Sequence, residues 1–300
     1  MKKMIRKIAM LVLFAVFVIS TVLLLRQWSD NARGESSYQD AIAIAAEKAE
    51  YVSEHMEVGT VNKMETQTPV WVPAPVENDP MVEELAQINL AALRTVNPDV
   101  VGWVRIPDTK IDFPLMQGQD NDFYLNHTWN KEPNSVGSVF LEHQNSADLT
   151  DYNTIIYGHN MNDGTMFADL ELFSLQKFWK EHPFVYILTD AGVYRYEIFA
   201  FFQAEIESLT YGMNPQRDDT KEKFLNLALD KAWFDTGIRP PITDRILTLS
   251  TCSGANYDYR YVVQARLPMV EAKKIKNHRR VSSAVVCKFL YGTQIPGVKG

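Results

Sequence analysis

The sequence predicts a mainly β domain with added helices, in which about eight strands close a small antiparallel barrel. Three observations carry that expectation. Short runs rich in Val, Ile and aromatic residues recur between residues 100 and 267, punctuated by Pro, Asn, Asp and Gly. Their connections are mostly short, which favours neighbouring antiparallel strands. A single longer segment, 204–243, interrupts them just before the last two strands and carries helical spacing.

The runs are, in order, VVGWVRI (100–106), IDFPLMQ (111–117), GSVFLEH (137–143) and NTIIYGH (153–159). A helix is expected at about 166–181. FVYILT and VYRYEIFAFF follow, joined by Asp190-Ala191-Gly192, a hairpin signal. Within 204–243, DDTKEKFLNLALDKAWF places Phe224, Leu227, Ala228 and Trp233 near one helical face. Strands at 245–251 and 260–267 complete the set. No internal repeat is present.

Ahead of the barrel the chain changes character. Lys2, Lys3, Arg6 and Lys7 precede an uninterrupted apolar stretch from Ile8 to Leu25. At 1.5 Å per residue that stretch spans roughly 27 Å, close to the hydrocarbon thickness of a bilayer. A cleaved signal peptide is the competing reading. The apolar run exceeds the ~7–15 residues of a signal core, and Arg26, Gln27 and Trp28 stand where a small-x-small site would be. The basic cluster before the span puts the N-terminus in the cytoplasm and the body of the chain outside. Residues 1–30 are therefore read as a cytoplasmic tip and single-pass anchor. Residues 31–80 are read as a short Ala-rich helix, with Ile42, Ala45, Ala46 and Ala49 at helical spacing, followed by a Pro-containing stalk. Asp79 and Pro80 cap a further helix whose apolar face is Leu85, Ile88, Ala92 and Val96, and Asn97-Pro98 ends it. The unit 81–267 is the folded domain, and 268–300 is a basic and apolar tail without an assigned role.

Composition narrows the function. With 46% hydrophobic and 22% charged residues the chain can bury a core, and a net charge of -7 without a basic aromatic stripe argues against nucleic acid. There is no P-loop, GxGxxG, HExxH or CxxC, so neither metal nor cofactor is expected. Two cysteines make no disulfide framework. One of them, Cys252, ends the strand ILTLSTC. A buried structural thiol is one reading of it, and a nucleophile is the other. Among six histidines, His55 and His278 fall in the stalk and the tail, and His182 sits at a helix end before Pro183. Of the remaining His127, His143 and His159, the last stands where a buried strand meets a polar loop, a position that presents reactive groups to solvent. Arg260 begins the strand after Cys252. If the two strands pair, its guanidinium returns beside the sulfur, where it can stabilise an oxyanion; the alternative is an exposed arginine at a strand start. Asn126-His127-Thr128 is a glycosylation sequon by pattern, relevant only in a eukaryotic secretory setting.

Taken together, NPDVVGWVRIPDTKIDFPLMQG, DNDFYLNHTW, NTIIYGHNMNDGTMFADL, HPFVYILT and DRILTLSTC, the last followed by Arg260, resemble the class B sortases. These are membrane-anchored cysteine transpeptidases of Gram-positive bacteria, and the resemblance covers roughly 81–267. It implies an eight-stranded sortase-type β-barrel with N-terminal helices and a helical insertion before the last two strands. It implies Cys252 as nucleophile, His159 as proton shuttle and Arg260 as oxyanion partner. Asn121, Leu125, Tyr157 and Ser250 match positions lining the family's substrate groove. The implied partners are sorting-signal peptides of secreted surface proteins, a cell-wall or pilin amine as acceptor, and the membrane. A hydrolase using the same residues with water, or a non-catalytic surface module with an inert thiol, are the competing functions. Two features depart from the family pattern. Ser253 follows Cys252 where some members have an acidic residue, and Cys287 lies in a tail without a counterpart. A Cys287–Cys252 disulfide would silence the nucleophile.

Overall fold

A computed structural model describes residues 2–47, 71–252 and 258–271. The chain opens with α1 (Lys2–Ala45), then β1 (Trp71–Pro73), α2 (Pro80–Leu85), α3 (Leu90–Val96), β2 (Val100–Arg105), β3 (Asp112–Met116), β4 (Phe140–Leu141) and β5 (Asn153–Tyr157). It continues through a 3₁₀ stretch (Ala168–Ser174), α4 (Gln176–Glu181), β6 (Phe184–Thr189), β7 (Gly192–Glu205), a 3₁₀ turn (Leu209–Tyr211), α5 (Asp218–Lys231), β8 (Arg245–Cys252), β9 (Tyr259–Leu267) and β10 (Met269–Glu271).

Eight of the strands close a barrel in the order β2-β3-β4-β5-β8-β9-β7-β6. The expected mainly β architecture with added helices is what the chain adopts. One feature of the expected barrel differs: it is not wholly antiparallel. β3 pairs with β4 in parallel, and β5 with β8 in parallel from Asn153↔Ile246 to Tyr157↔Ser250. Residues 158–244 form the crossover between the latter two. A crossover that long is invisible to a reading that counts short connections.

The core is built from inward-facing side chains such as Val104, Leu115, Ile156, Phe201, Leu247 and Val263, all essentially inaccessible to water. Burying each is worth about 1.5–3 kcal/mol. Gly102 is required by close approach, because a Cβ there would lie 2.3 Å from the Leu188 carbonyl oxygen on β6. A second apolar cluster lies under α5, where Phe224, Leu225 and Ala228 meet Phe199, Phe202, Ile246 and Val262. Leu225 takes the place expected for Leu227, since positions i, i+1 and i+4 share the buried face. Trp233 lies beyond the helix end, half exposed, with its ring edge-on to Phe201.

Three N-terminal features differ from the sequence reading. The anchor and the Ala-rich helix are one rod, α1. None of its apolar window is buried, and the window is long and apolar enough to cross a membrane. Farther along, Ser37, Tyr38, Ala41 and Ala45 are buried against the domain at helical spacing, so packing carries the helix through a polar segment that propensity alone would interrupt. The single helix expected after Pro80 is two. Asp79 accepts from the Met81 amide at 3.1 Å, and Asn89 interrupts the run by accepting from the Ala92 amide at 3.0 Å to start α3. The stalk and the tail also meet, as β1 pairs antiparallel with β10 from Trp71↔Glu271 to Pro73↔Met269. Residues 53–70 of the stalk, with His55, and Ser253, His278 and Cys287 lie outside the described residues.

Candidate active site

Cys252 is the last residue of β8 and a free thiol, partly accessible to solvent. Side chains on a strand alternate, so Ser250 and Cys252 share one face. β9 runs back antiparallel, and its register sets Arg260 directly across from Cys252 and Val262 across from Ser250. Cross-strand partners share a face, with Cβ atoms ~4.5–5.5 Å apart. Arg260 therefore projects beside the sulfur, and its Nη1 donates to the Tyr259 carbonyl at 3.0 Å. His159 arrives from β5, on the other side of β8. Because Tyr157 pairs with Ser250 in parallel, His159 lies level with Cys252 at the same rim.

The imidazole has two partners, the Leu125 carbonyl and the Cys252 side chain. Its Nε2 lies 2.7 Å from the Leu125 carbonyl oxygen, which can only accept, so Nε2 carries a proton. The other nitrogen, Nδ1, is left for the side-chain hydrogen bond with Cys252. That bond is the main reason the Cys252 thiol ionises below its ordinary value. Burial opposes it, and the charge of Arg260 adds to it. The same bond is the main influence raising the His159 pKa, against burial and with help from the Leu125 carbonyl. Both shifts favour a thiolate–imidazolium pair. Asn160, next to the histidine, ties the two strand ends together by donating from Nδ2 to the Cys252 carbonyl at 2.9 Å.

The remaining expected residues form a connected wall. Asn121 Nδ2 donates to Glu142 Oε2 at 2.7 Å, and the Tyr157 hydroxyl donates to the same oxygen at 3.0 Å. Tyr157 stacks on Tyr211, whose hydroxyl lies 3.0 Å from Ser250 Oγ. Leu125 enters through its main chain, as the acceptor for His159. Of the other histidines, His143 joins this wall, and His127 and His182 sit elsewhere. His127 stacks on Phe123, His143 pairs its Nδ1 with Glu142 Oε1 at 2.7 Å, and His182 caps α4 with its ring on the Pro107 carbonyl. Glu142, Asn160 and Tyr211 were not singled out from the sequence. Asn160 stood inside YGHN and carried a signal by adjacency; Tyr211 lies in the insertion, where no periodicity marks a site. Among the described residues no group of three or more His, Cys, Asp or Glu side chains is placed to hold a metal.

This geometry can run acyl transfer, and comparison with known proteins agrees. A sortase domain model matches residues 104–268. A Sortase B of Listeria monocytogenes is 38% identical over 184 residues, 59% of this chain and 73% of the relative. A Staphylococcus aureus sortase B–substrate complex superposes with a TM-score of 0.57 and 29% identity, covering 61% of this chain and 84% of that one. A sortase B complexed with triglycine superposes with a TM-score of 0.58 and 28% identity, covering 64% and 90% respectively. The chain belongs to the sortase family, as a class B member, and is a cysteine transpeptidase.

Proposed function

We propose that Cys252, His159 and Arg260 carry the transpeptidation, acting on the C-terminal sorting signals of secreted proteins. The Cys252 thiolate attacks the carbonyl carbon of a peptide bond in the signal. The tetrahedral oxyanion accepts hydrogen bonds from the Arg260 guanidinium. As the C–N bond breaks, the departing amine takes the proton from His159 Nδ1, and a thioester on Cys252 remains. An acceptor amine then attacks the thioester carbonyl and gives a proton back to His159 Nδ1. The new amide forms and the thiolate leaves. Throughout, Nε2–H stays bonded to the Leu125 carbonyl, which holds the ring in one orientation.

The observation that supports this reading best is the convergence of three neighbouring strands at one rim. There, Cys252 faces Arg260 in register and bonds to His159. Asn121, Leu125, Tyr157 and Ser250, joined by Tyr211, are proposed to line the groove for the sorting signal. The substrate and triglycine complexes of related sortases support a peptide donor and an amine acceptor. The acceptor here is proposed to be a cell-wall or pilin amine. α1 is proposed as a single-pass anchor, with residues 1–30 as cytoplasmic tip and span and the catalytic unit outside the membrane. The test is cleavage and amine transfer on a library of quenched sorting-signal peptides, with the full chain in detergent and with Cys252→Ala. The expected result is cleavage that requires Cys252 and a product joined to added amine. Turnover by Cys252→Ala at the wild-type rate would sink it.

A further inference from the structure

We infer that the docked half of α1, residues 30–45, positions His159, with Tyr38 as the positioning residue. This deepens the reading of His159 as the proton carrier and rests on it.

The hydrogen bonds of α1 to the barrel fall on two loops that meet around His159. On the loop before β4, Asn134 Nδ2 donates to the Asp30 carbonyl at 2.9 Å, and the Tyr38 hydroxyl donates to the Gly137 carbonyl at 2.6 Å. Gly34 sits so close to this loop that a Cβ would lie 2.8 Å from Val136 Cγ2. On the loop after His159, Asn31 Nδ2 donates to Asp163 Oδ2 at 2.7 Å. The first loop in turn leans on the catalytic histidine. A Cβ on Gly137, whose φ is +64°, would lie 2.7 Å from the Leu125 carbonyl oxygen and 2.9 Å from His159 Cδ2. That carbonyl is the acceptor that orients the imidazole. Gly137 thus stands between the Tyr38 hydroxyl and the His159 ring, bonded to the first and with no room for a side chain against the second.

Packing alone does not fix this seam. A cavity of about 510 Å³ runs along it, lined among others by Trp28, Tyr38, Lys110, Phe113 and Met166. With space left along part of the helix, hydrogen bonds at Asp30, Asn31, Ser37 and Tyr38 hold α1 in place beside the close approach of Gly34 to Val136; Trp129 Nε1 donates to the Ser37 carbonyl at 2.7 Å. Tyr38 is buried, and its ring stands edge-on to Phe113. Replacing it with Phe keeps that packing and removes the hydroxyl, with its bond to the Gly137 carbonyl and its longer one, 3.4 Å, to Ser138 Oγ on the same loop.

The test uses the full chain in detergent micelles and reads the rate of Cys252 alkylation by iodoacetamide against pH. The other groups facing the thiol, Arg260 on β9 and Tyr211 from the insertion, are unchanged in every variant. Tyr38→Phe is expected to move the reactivity profile to higher pH and to slow alkylation about two- to ten-fold below the midpoint, the range one neutral hydrogen bond spans. Gly34→Ala, which pushes α1 off Val136, should act in the same direction, and adding Val136→Ala should restore the profile. If Gly34→Ala does not fold, Tyr38→Phe decides alone. A wild-type profile for Tyr38→Phe beside a shifted one for His159→Ala overturns the inference only. An unshifted profile for His159→Ala removes the underlying reading, and the inference with it.

Discussion

Replacing Gly158 by alanine tests whether the end of β5 is held as tightly as the catalytic geometry requires. Gly158 lies between Tyr157 and His159, and its amide donates to the Ser250 carbonyl at 3.2 Å. Its φ is not in the left-handed region, so alanine costs nothing in backbone conformation and the penalty is steric. A Cβ would lie 2.6 Å from Phe167 Cγ, with both Cδ atoms within 3.0 Å. Phe167 is fully buried, and its own amide donates to the His159 carbonyl at 2.8 Å, so the ring cannot swing out to solvent. Either the ring leaves its rotamer or the β5 end lifts from β8. Overpacking of this kind costs about 1–3 kcal/mol, or about 2–12 °C in Tm for a domain of this size. If the strand end moves, His159 moves with it, and a 1 Å misplacement costs about 10²-fold in rate. Thermal unfolding followed by near-UV circular dichroism, with alkylation of Cys252 in parallel, measures both. Adding Phe167→Leu should recover part of the rate by making room. A Gly158→Ala chain melting within about 1 °C of wild type, with unchanged reactivity, would refute the claim that this contact fixes the histidine.

Three further outcomes follow from the charges at the rim. Without His159 the thiol loses the main influence lowering its pKa, while burial still raises it and only Arg260 opposes. Alkylation of His159→Ala should therefore begin at higher pH than in wild type, and a profile that stays put or moves to lower pH contradicts the assignment. In the proposed mechanism attack needs thiolate and departure needs imidazolium, so kcat/KM should fall on both sides of an optimum, as expected of a coupled pair. Arg260→Ala should lose about 10²–10³ in kcat, the usual cost of one oxyanion donor, while its melting temperature stays near wild type. Single-turnover thioester formation followed by mass spectrometry reads the effect directly, and formation at the wild-type rate would exclude Arg260 from the chemistry.

Much of the fold was legible because its strands are locally marked. VVGWVRI, NTIIYGH and ILTLSTC each carry their own β signal and stop at polar loops, so their positions could be read within a residue or two. The Cys252–Arg260 pairing was equally local, as a short loop between adjacent strands implies the register that forms. What escaped depends on contacts between distant segments. The junction of β1 with β10 joins residues from opposite ends of the domain. The persistence of α1 past the apolar stretch comes from Tyr38, Ala41 and Ala45 finding the barrel. Glu142 gave no pattern either, because its role follows from Asn121 and Tyr157 converging on one carboxylate from separate loops.

The parallel pairing of β5 with β8 is the least legible feature and the one on which the proposed chemistry depends. His159 and Cys252 each follow their strand's last paired residues, Tyr157 and Ser250, by two positions. Parallel neighbours end at the same rim, so the two side chains meet. In the wholly antiparallel barrel that the short connections suggested, β5 and β8 would end at opposite rims. Five residues of strand at ~3.3 Å each would then hold the imidazole roughly 16 Å from the sulfur. Arg260 needs the opposite arrangement, since it begins its strand and reaches the rim only because β9 runs antiparallel to β8. One parallel and one antiparallel neighbour around β8 is therefore the arrangement that brings a residue after β5, the end of β8 and the start of β9 to one point. The long crossover 158–244 is the structural cost of that arrangement, and it contributes Tyr211 to the same rim.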